Sequence, residues 1–266
     1  MVKGLYTAYT GMVEEQRRLD VTTNNLANSN TIGYKKEGTV NAAFADTMAL
    51  KIKDTSTAMF PRRLGIINLG DKVGETYTDY SQGGFHVTDK PSDLAIAGEG
   101  YFAIQFTDKQ GNQSIKYTRD GEFTVDNQGY LVTSDGDHVL TRAAAMGSTM
   151  GQGGWVRVDP VQEYTVDQQG FIYQGGVQVA QIGVVNVEDT NYFEKYGENM
   201  YNLIPGGTIV ASTAQVEQGA LETSNVNVVD EMVTMITIQR AYEAGQKMIQ
   251  TEDSTIEMAV SQVGRV

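Results

Sequence analysis

The sequence predicts an α+β protein in which a discontinuous coiled-coil pair of N- and C-terminal helices is joined to a β-rich middle domain of hairpins. Three observations predict it. Apolar side chains return every seventh position at both ends: Leu5, Met12, Leu19 and Leu26 at one, Val228, Met235, Tyr242, Ile249, Ile256 and Val263 at the other. A seven-residue return keeps one row of a slightly underwound helix facing a partner helix. Between the ends, apolar residues come in short runs broken by glycine, which is the mark of strands and tight turns. One phrase also occurs twice, FTVDNQGYLV at 123–132 and YTVDQQGFIY at 164–173. The expected domains are a terminal helical assembly domain (1–36 with 222–266), an extended connector with short strands (37–90) and the β-rich middle (91–221).

The N-terminal helix has no Gly or Pro between Met12 and Leu26 and ends in a run containing Asn24, Asn25, Asn28, Asn30 and Gly33. Asn and Gly tolerate the left-handed backbone that stops a helix. So many amides exceed what a stop requires, so Asn25, Asn28 and Asn30 join the leucine row as candidate assembly contacts. From 37 to 90 the periodicity fades. Met48, Leu50 and Ile52 alternate, Pro61 interrupts, and Gly65, Gly70 and Gly74 punctuate.

In the middle, Leu94–Ala97 and Tyr101–Phe106 read as two strands about a glycine turn. The repeated phrase reads as one hairpin used twice, its turn ending in Gly129 or Gly170 and bonded by Asp126 or Asp167. Val177–Val187 is expected as a further hairpin and the polar stretch Thr190–Tyr201 as a surface loop. On the C-terminal helix the second row is incomplete. Three or four places on from each heptad position stand Met232, Ile238, Gly245 or Gln246, Glu252 or Asp253, and Ala259 with Val260. Gly245 costs about 1 kcal/mol of helix propensity, so this helix is expected to order mainly among neighbours.

Charge separates the ends. Lys3, Arg17, Arg18, Lys35 and Lys36 enrich the first segment in bases, while Asp230, Glu231, Glu243, Glu252, Asp253 and Glu257 make the last acidic, so the two attract in a salt-dependent way. The formal net charge of -13 argues against a nucleic-acid partner, since phosphate neutralisation needs clustered bases. With no cysteine, disulfides and thiolate metal sites are excluded. No apolar signal segment opens the chain, and no run of roughly eighteen apolar residues predicts membrane insertion.

Chemistry is sparse. Gly98, Gly100 and Ala103 have dinucleotide-motif spacing, but the aromatic and β-branched run that follows is strand-like where that motif needs a helix. His138 stands beside Ser134, Asp135 and Asp137, yet neighbours in one turn cannot form a catalytic triad. An enzyme using Asp120, Glu122 and His138, and a secreted β-domain binding module oligomerised by its terminal coil, are the alternatives. The reading is not an enzyme, with no cofactor, no metal and no small-molecule substrate.

The stretches NNLANSNTIGYKK (24–36), DLAIAGEGYFAIQ (93–105), YTRDGEFTVDNQGYLVTSDG (117–136) and LETSNVNVVDEMVTMITIQRAY (221–242) resemble, in order, the flagellar basal-body rod and hook protein family. The resemblance is weakest over about 38–80 and 141–163. It implies a structural subunit of the flagellar rod, proximal or distal, crossing the cell envelope. Its partners would be copies of itself, other axial rod and hook proteins and the flagellar type III export apparatus. It also implies that the terminal helices line a tube and that the middle domain lies outside.

Overall fold

The computed structural model describes residues 2–51, 62–147, 153–197 and 199–263; Ile52 and Pro61 lie outside them. The fold is α+β, with an N-terminal helix, a β-rich middle and a C-terminal helix. In chain order the elements begin with α1 (Val2–Ala27), β1 (Glu37–Ala43), β2 (Thr47–Lys51), β3 (Arg62–Ile67), β4 (Asp71–Thr78), β5 (Phe85–Val87), β6 (Leu94–Ala97), β7 (Tyr101–Thr107), β8 (Gln113–Thr118), β9 (Phe123–Val125), β10 (Leu131–Thr133) and β11 (His138–Val139). Then follow α2 (Arg142–Ala145), β12 (Tyr164–Val166), β13 (Phe171–Gln174), β14 (Val177–Gln181), β15 (Val184–Val187), β16 (Phe193–Tyr196), β17 (Met200–Leu203), β18 (Ile209–Ala211), β19 (Gln215–Gln218), β20 (Ala220–Glu222) and α3 (Val228–Met258).

Two compact units form. The first comprises 1–27, 37–79 and 227–266, the second 28–36 and 80–226. In the first, α1 and α3 accompany two antiparallel ladders, β1 with β4 and β2 with β3. The Asn227 side chain caps α3 by accepting from the Val229 N–H at 3.1 Å. Asp230 and Glu231 occupy its first turn, where the positive end of the helix dipole favours acids.

The second unit is built on β7, which pairs with β8, β11 and β15. Successive β7 side chains point to opposite faces, and both faces are buried. Phe102 and Ile104 join Leu94, Phe123, Leu131 and Ile172 in one cluster, while Tyr101 and Ala103 join Tyr117, Phe193 and Tyr201 in the other.

The repeated phrase folds as the same hairpin twice. Gly129 donates to the Asp126 carbonyl and Gly170 to the Asp167 carbonyl, both at 2.8 Å. The following main-chain N–H in each turn, Asn127 or Gln168, donates to the aspartate side chain at 2.7 Å. Both glycines have positive φ, +84° and +76°, a region costly for side chains with a Cβ.

Three local expectations are corrected. Val177–Val187 is not a hairpin: β14 pairs with β13 and β15 with β7 and β18, the chain changing sheets where Ile182 and Gly183 donate to the Gly170 and Leu140 carbonyls. Thr190–Tyr201 is not a loop but contains β16 and part of β17, paired to each other. Asn191 and Glu194 are exposed while Phe193 and Tyr201 are buried, an alternation masked by the many polar letters. The strands β6 and β7 form as expected, but β6 pairs with β19, not with its neighbour in sequence.

Candidate functional site

Within the first unit, α1 and α3 run antiparallel. At one end a Cβ on Gly4 would collide with the Glu252 carboxylate, at mid-length a Cβ on Gly245 would lie 2.7 Å from Met12 Cγ, and at the other end Asn25 Nδ2 reaches Glu231 Oε2 at 3.5 Å. Leu19, Ile238 and Tyr242 border one small cleft between these levels. The residues α3 buries are Glu231 and Ile238, at 3% and 2% exposure. With Gly245 and Glu252 they make a seven-residue row of their own, the one that looks defective in sequence. Gly245 is where a bulky Met12 needs room, and Glu252 stands at the first turn of α1, whose N–H groups lack partners within the helix.

The heptad residues expected to form the seam sit on its flank. Leu5, Met12, Leu19, Leu26, Val228, Met235 and Ile249 are half-buried, and Tyr242 and Ile256 are exposed; Val263 falls in the terminal π-helical turn Ala259–Val263. Asn25 is buried, with its amide donating to the Glu37 carbonyl at 2.8 Å and accepting from the Glu37 N–H at 2.9 Å. It therefore completes the start of β1 the way a neighbouring strand would. Asn28, half-buried, accepts from Thr31 Oγ1 at 3.1 Å, and Asn30 is exposed. Beyond the seam, α3 presents Val229, Met232, Val233, Ile236 and Met248 to solvent, with Val229 at 67%, and Val260 in the turn that follows is 70% exposed. Heptad counting misses this surface. Its signal is the excess of apolar letters in VVDEMVTMITI over what one seam can bury.

In the second unit the sequence stretches singled out above converge on one carboxylate. Glu222, wholly buried, accepts from Lys35 Nζ at 2.6 Å, from the Gly83 N–H at 2.9 Å and from Arg119 Nη1 at 3.0 Å. Lys35 also donates to the Ser81 carbonyl at 2.7 Å and Arg119 to the Gly98 carbonyl at 2.9 Å. Gly33 N–H donates to the Glu222 carbonyl at 2.9 Å. With φ of +67° and Arg119 carbonyl carbon 2.6 Å from where a Cβ would stand, position 33 admits only glycine. The Tyr101 ring lies 5.0 Å from the Arg119 guanidinium. Burial pushes the Tyr101 and Tyr201 phenols well above the usual tyrosine range.

Beside this node Asp120 titrates unusually. Burial raises its carboxyl to about 6; hydrogen bonds from the Glu122 N–H and the Asn199 amide oppose the rise, and the Glu122 and Asp135 carboxylates add to it. Asp120 is tied to Asn199 at 2.8 Å, whereas His138 stacks on Trp155 with ring centroids 3.8 Å apart. Of the three residues considered for catalysis, Asp120 and Glu122 thus share one turn, and His138 belongs to a separate aromatic stack. The Gly98–Ala103 spacing runs into β7, a strand. Among the described residues no group of three or more His, Asp or Glu could hold a metal ion, and no described helix is long and apolar enough to cross a membrane.

Comparison with known proteins agrees along the whole chain. Residues 5–35 match the flagella basal body rod protein family, 95–187 the flagellar hook protein FlgE/F/G D1 domain, and 217–262 the flagellar basal body rod FlgEFG protein C-terminal family. Similar proteins include the flagellar basal-body rod protein FlgF of Caulobacter vibrioides, 34% identical over 100% of this chain and 98% of that protein. The flagellar basal-body rod protein FlgG of Bacillus subtilis is also 34% identical, over 98% and 99%. FlhO of Bacillus subtilis, a flagellar hook-basal body complex protein, is 30% identical over the full length of both.

Proposed function

Because the chain belongs to the flagellar basal-body rod protein family and is a structural subunit of the bacterial flagellar basal body, we propose that it assembles helically through its terminal helices. The family is one of structural proteins, not enzymes, and its members assemble with other axial proteins. In our reading α1 and α3 form a coiled-coil pair whose remaining apolar face is covered by copies of the same chain and by neighbouring rod or hook proteins, while residues 91–221 face outward. The chain takes a proximal or distal place in the rod and reaches it through the flagellar type III apparatus.

The observation that carries this reading is the exposed row Val229, Met232, Val233 and Ile236. Soluble monomers rarely leave a contiguous apolar helix face in water, and the seam with α1 uses the other side of α3. The test is a double substitution, Val233→Asp with Ile236→Asp. It touches no seam residue and places carboxylates where assembly would bury them, at several kcal/mol each. Cells carrying it are expected to make a folded, soluble subunit and to lose rods and swimming. Normal rods and motility would overturn the proposal.

A further inference from the structure

Residues 215–225 make almost every one of their contacts with chain far away in sequence. β19 pairs with β6 from Gln215↔Ala97 to Gln218↔Leu94, and β20 pairs with β5 from Ala220↔Val87 to Glu222↔Phe85. Gln218 Nε2 donates to the Pro91 and Tyr164 carbonyls at 2.8 and 3.2 Å, and its Oε1 accepts from the Val166 N–H at 2.9 Å. Val216 N–H donates to the Gln168 carbonyl and Gly219 N–H to the Asp93 carbonyl. Asn225 accepts from the Lys36 N–H at 2.7 Å and donates to Ser81. Each ladder is two-stranded, and β5 is exposed along its length, Val87 at 68%. A two-stranded ladder is weak by itself, and closing loops this long is entropically late.

One feature of the segment is strong. Glu222 is the carboxylate that both Lys35 and Arg119 reach in the interior, and Val216 is 2% exposed within the larger apolar cluster. Only β5 and β6 take their ladders from the segment; β7 with β8, β9 with β10 and β16 with β17 pair without it and are local in sequence.

We infer that residues 215–225 are a closing strap: the second unit first forms its local β core, and the strap docks last, latched by Glu222 between Lys35 and Arg119. The strap brings in the carboxylate that ties residues 33–36 to the core, so both flanks of the unit fasten in one event. It opens and closes as a cooperative piece, separately from β7 and β8. Its closure immediately precedes α3 in the chain, so the unit fastens once all but the last helix is available.

Hydrogen exchange read by mass spectrometry on the full-length soluble chain tests this. Amides of the strap, of residues 83–88 and of Gly33 should exchange together, at least about tenfold faster than those of β7 and β8, as expected of a sub-global opening. Glu222→Gln should speed that set by a further factor of about 10–100 and leave β7 and β8 unchanged. Equal protection of strap and β7–β8 in the unsubstituted chain would overturn the inference, as would uniform acceleration in Glu222→Gln. Should Glu222→Gln fail to fold, Gln218→Ala supplies the same comparison.

Discussion

Gly245 of α3 and Met12 of α1 approach so closely that a Cβ at position 245 would stand 2.7 Å from Met12 Cγ. Helix propensity alone would make any substitution of this glycine except proline favourable, by about 1 kcal/mol for alanine. Packing reverses the sign for larger residues. Gly245→Leu is expected to lose about 1–3 kcal/mol through overpacking, and Met12→Ala should recover part of it. Helical circular dichroism during thermal unfolding of the two single variants and the double variant checks both statements.

Removing the anion from the Lys35–Glu222–Arg119 group should do more harm than removing one cation. Glu222→Ala leaves two buried cations without the carboxylate they share, an arrangement expected to cost about 3–5 kcal/mol. Lys35→Met leaves the Arg119–Glu222 pair neutral and should cost clearly less. Urea unfolding at fixed pH compares them directly, and equal losses would show that the group does not act through charge balance.

Asp120 should make stability depend on pH in the direction opposite to most carboxylates. Its folded-state value of about 6 lies above the ordinary 3.8. Its contribution is therefore complete below about pH 4 and is lost as pH rises through about 6. Asp120→Asn should flatten that limb and raise stability at pH 7 on the order of 1–2 kcal/mol. Asn199 can turn its amide to accept from the new side chain. Urea unfolding at pH 4.5 and pH 7, with and without the substitution, is the measurement.

The twin hairpins allow an internal comparison. Gly170→Ala meets only ordinary contacts, the nearest atom being Val216 Cγ2 at 3.6 Å, so it should cost the backbone strain alone, about 1 kcal/mol. Gly129→Ala carries the same strain and also collides with the Val158 carbonyl. It should lower the melting temperature further, and equal shifts would contradict the packing at Gly129.

The α+β class, both terminal helices and the doubled hairpin are legible in the sequence because each rests on contacts local in the chain. What is not legible is pairing across distance. Leu94–Ala97 reads as a strand, but nothing in those letters names Gln215–Gln218 as its neighbour. Asn25 reads as a surplus amide and is spent inside the chain on Glu37. Which row of α3 faces α1 is not legible either, because apolar content alone does not mark the buried face. There the face toward α1 is chosen by fit, glycine against methionine, which only the antiparallel register reveals.

Trp155 is the chain's only tryptophan, and it belongs to the second unit, stacked on His138. Its emission therefore reports the β unit by itself, while far-ultraviolet ellipticity is dominated by α1 and α3 in the other unit. The protein thus carries two separately readable optical signals. Transitions that separate would show the two units melting independently, so a single pair of unfolding curves tests whether the two are energetically coupled.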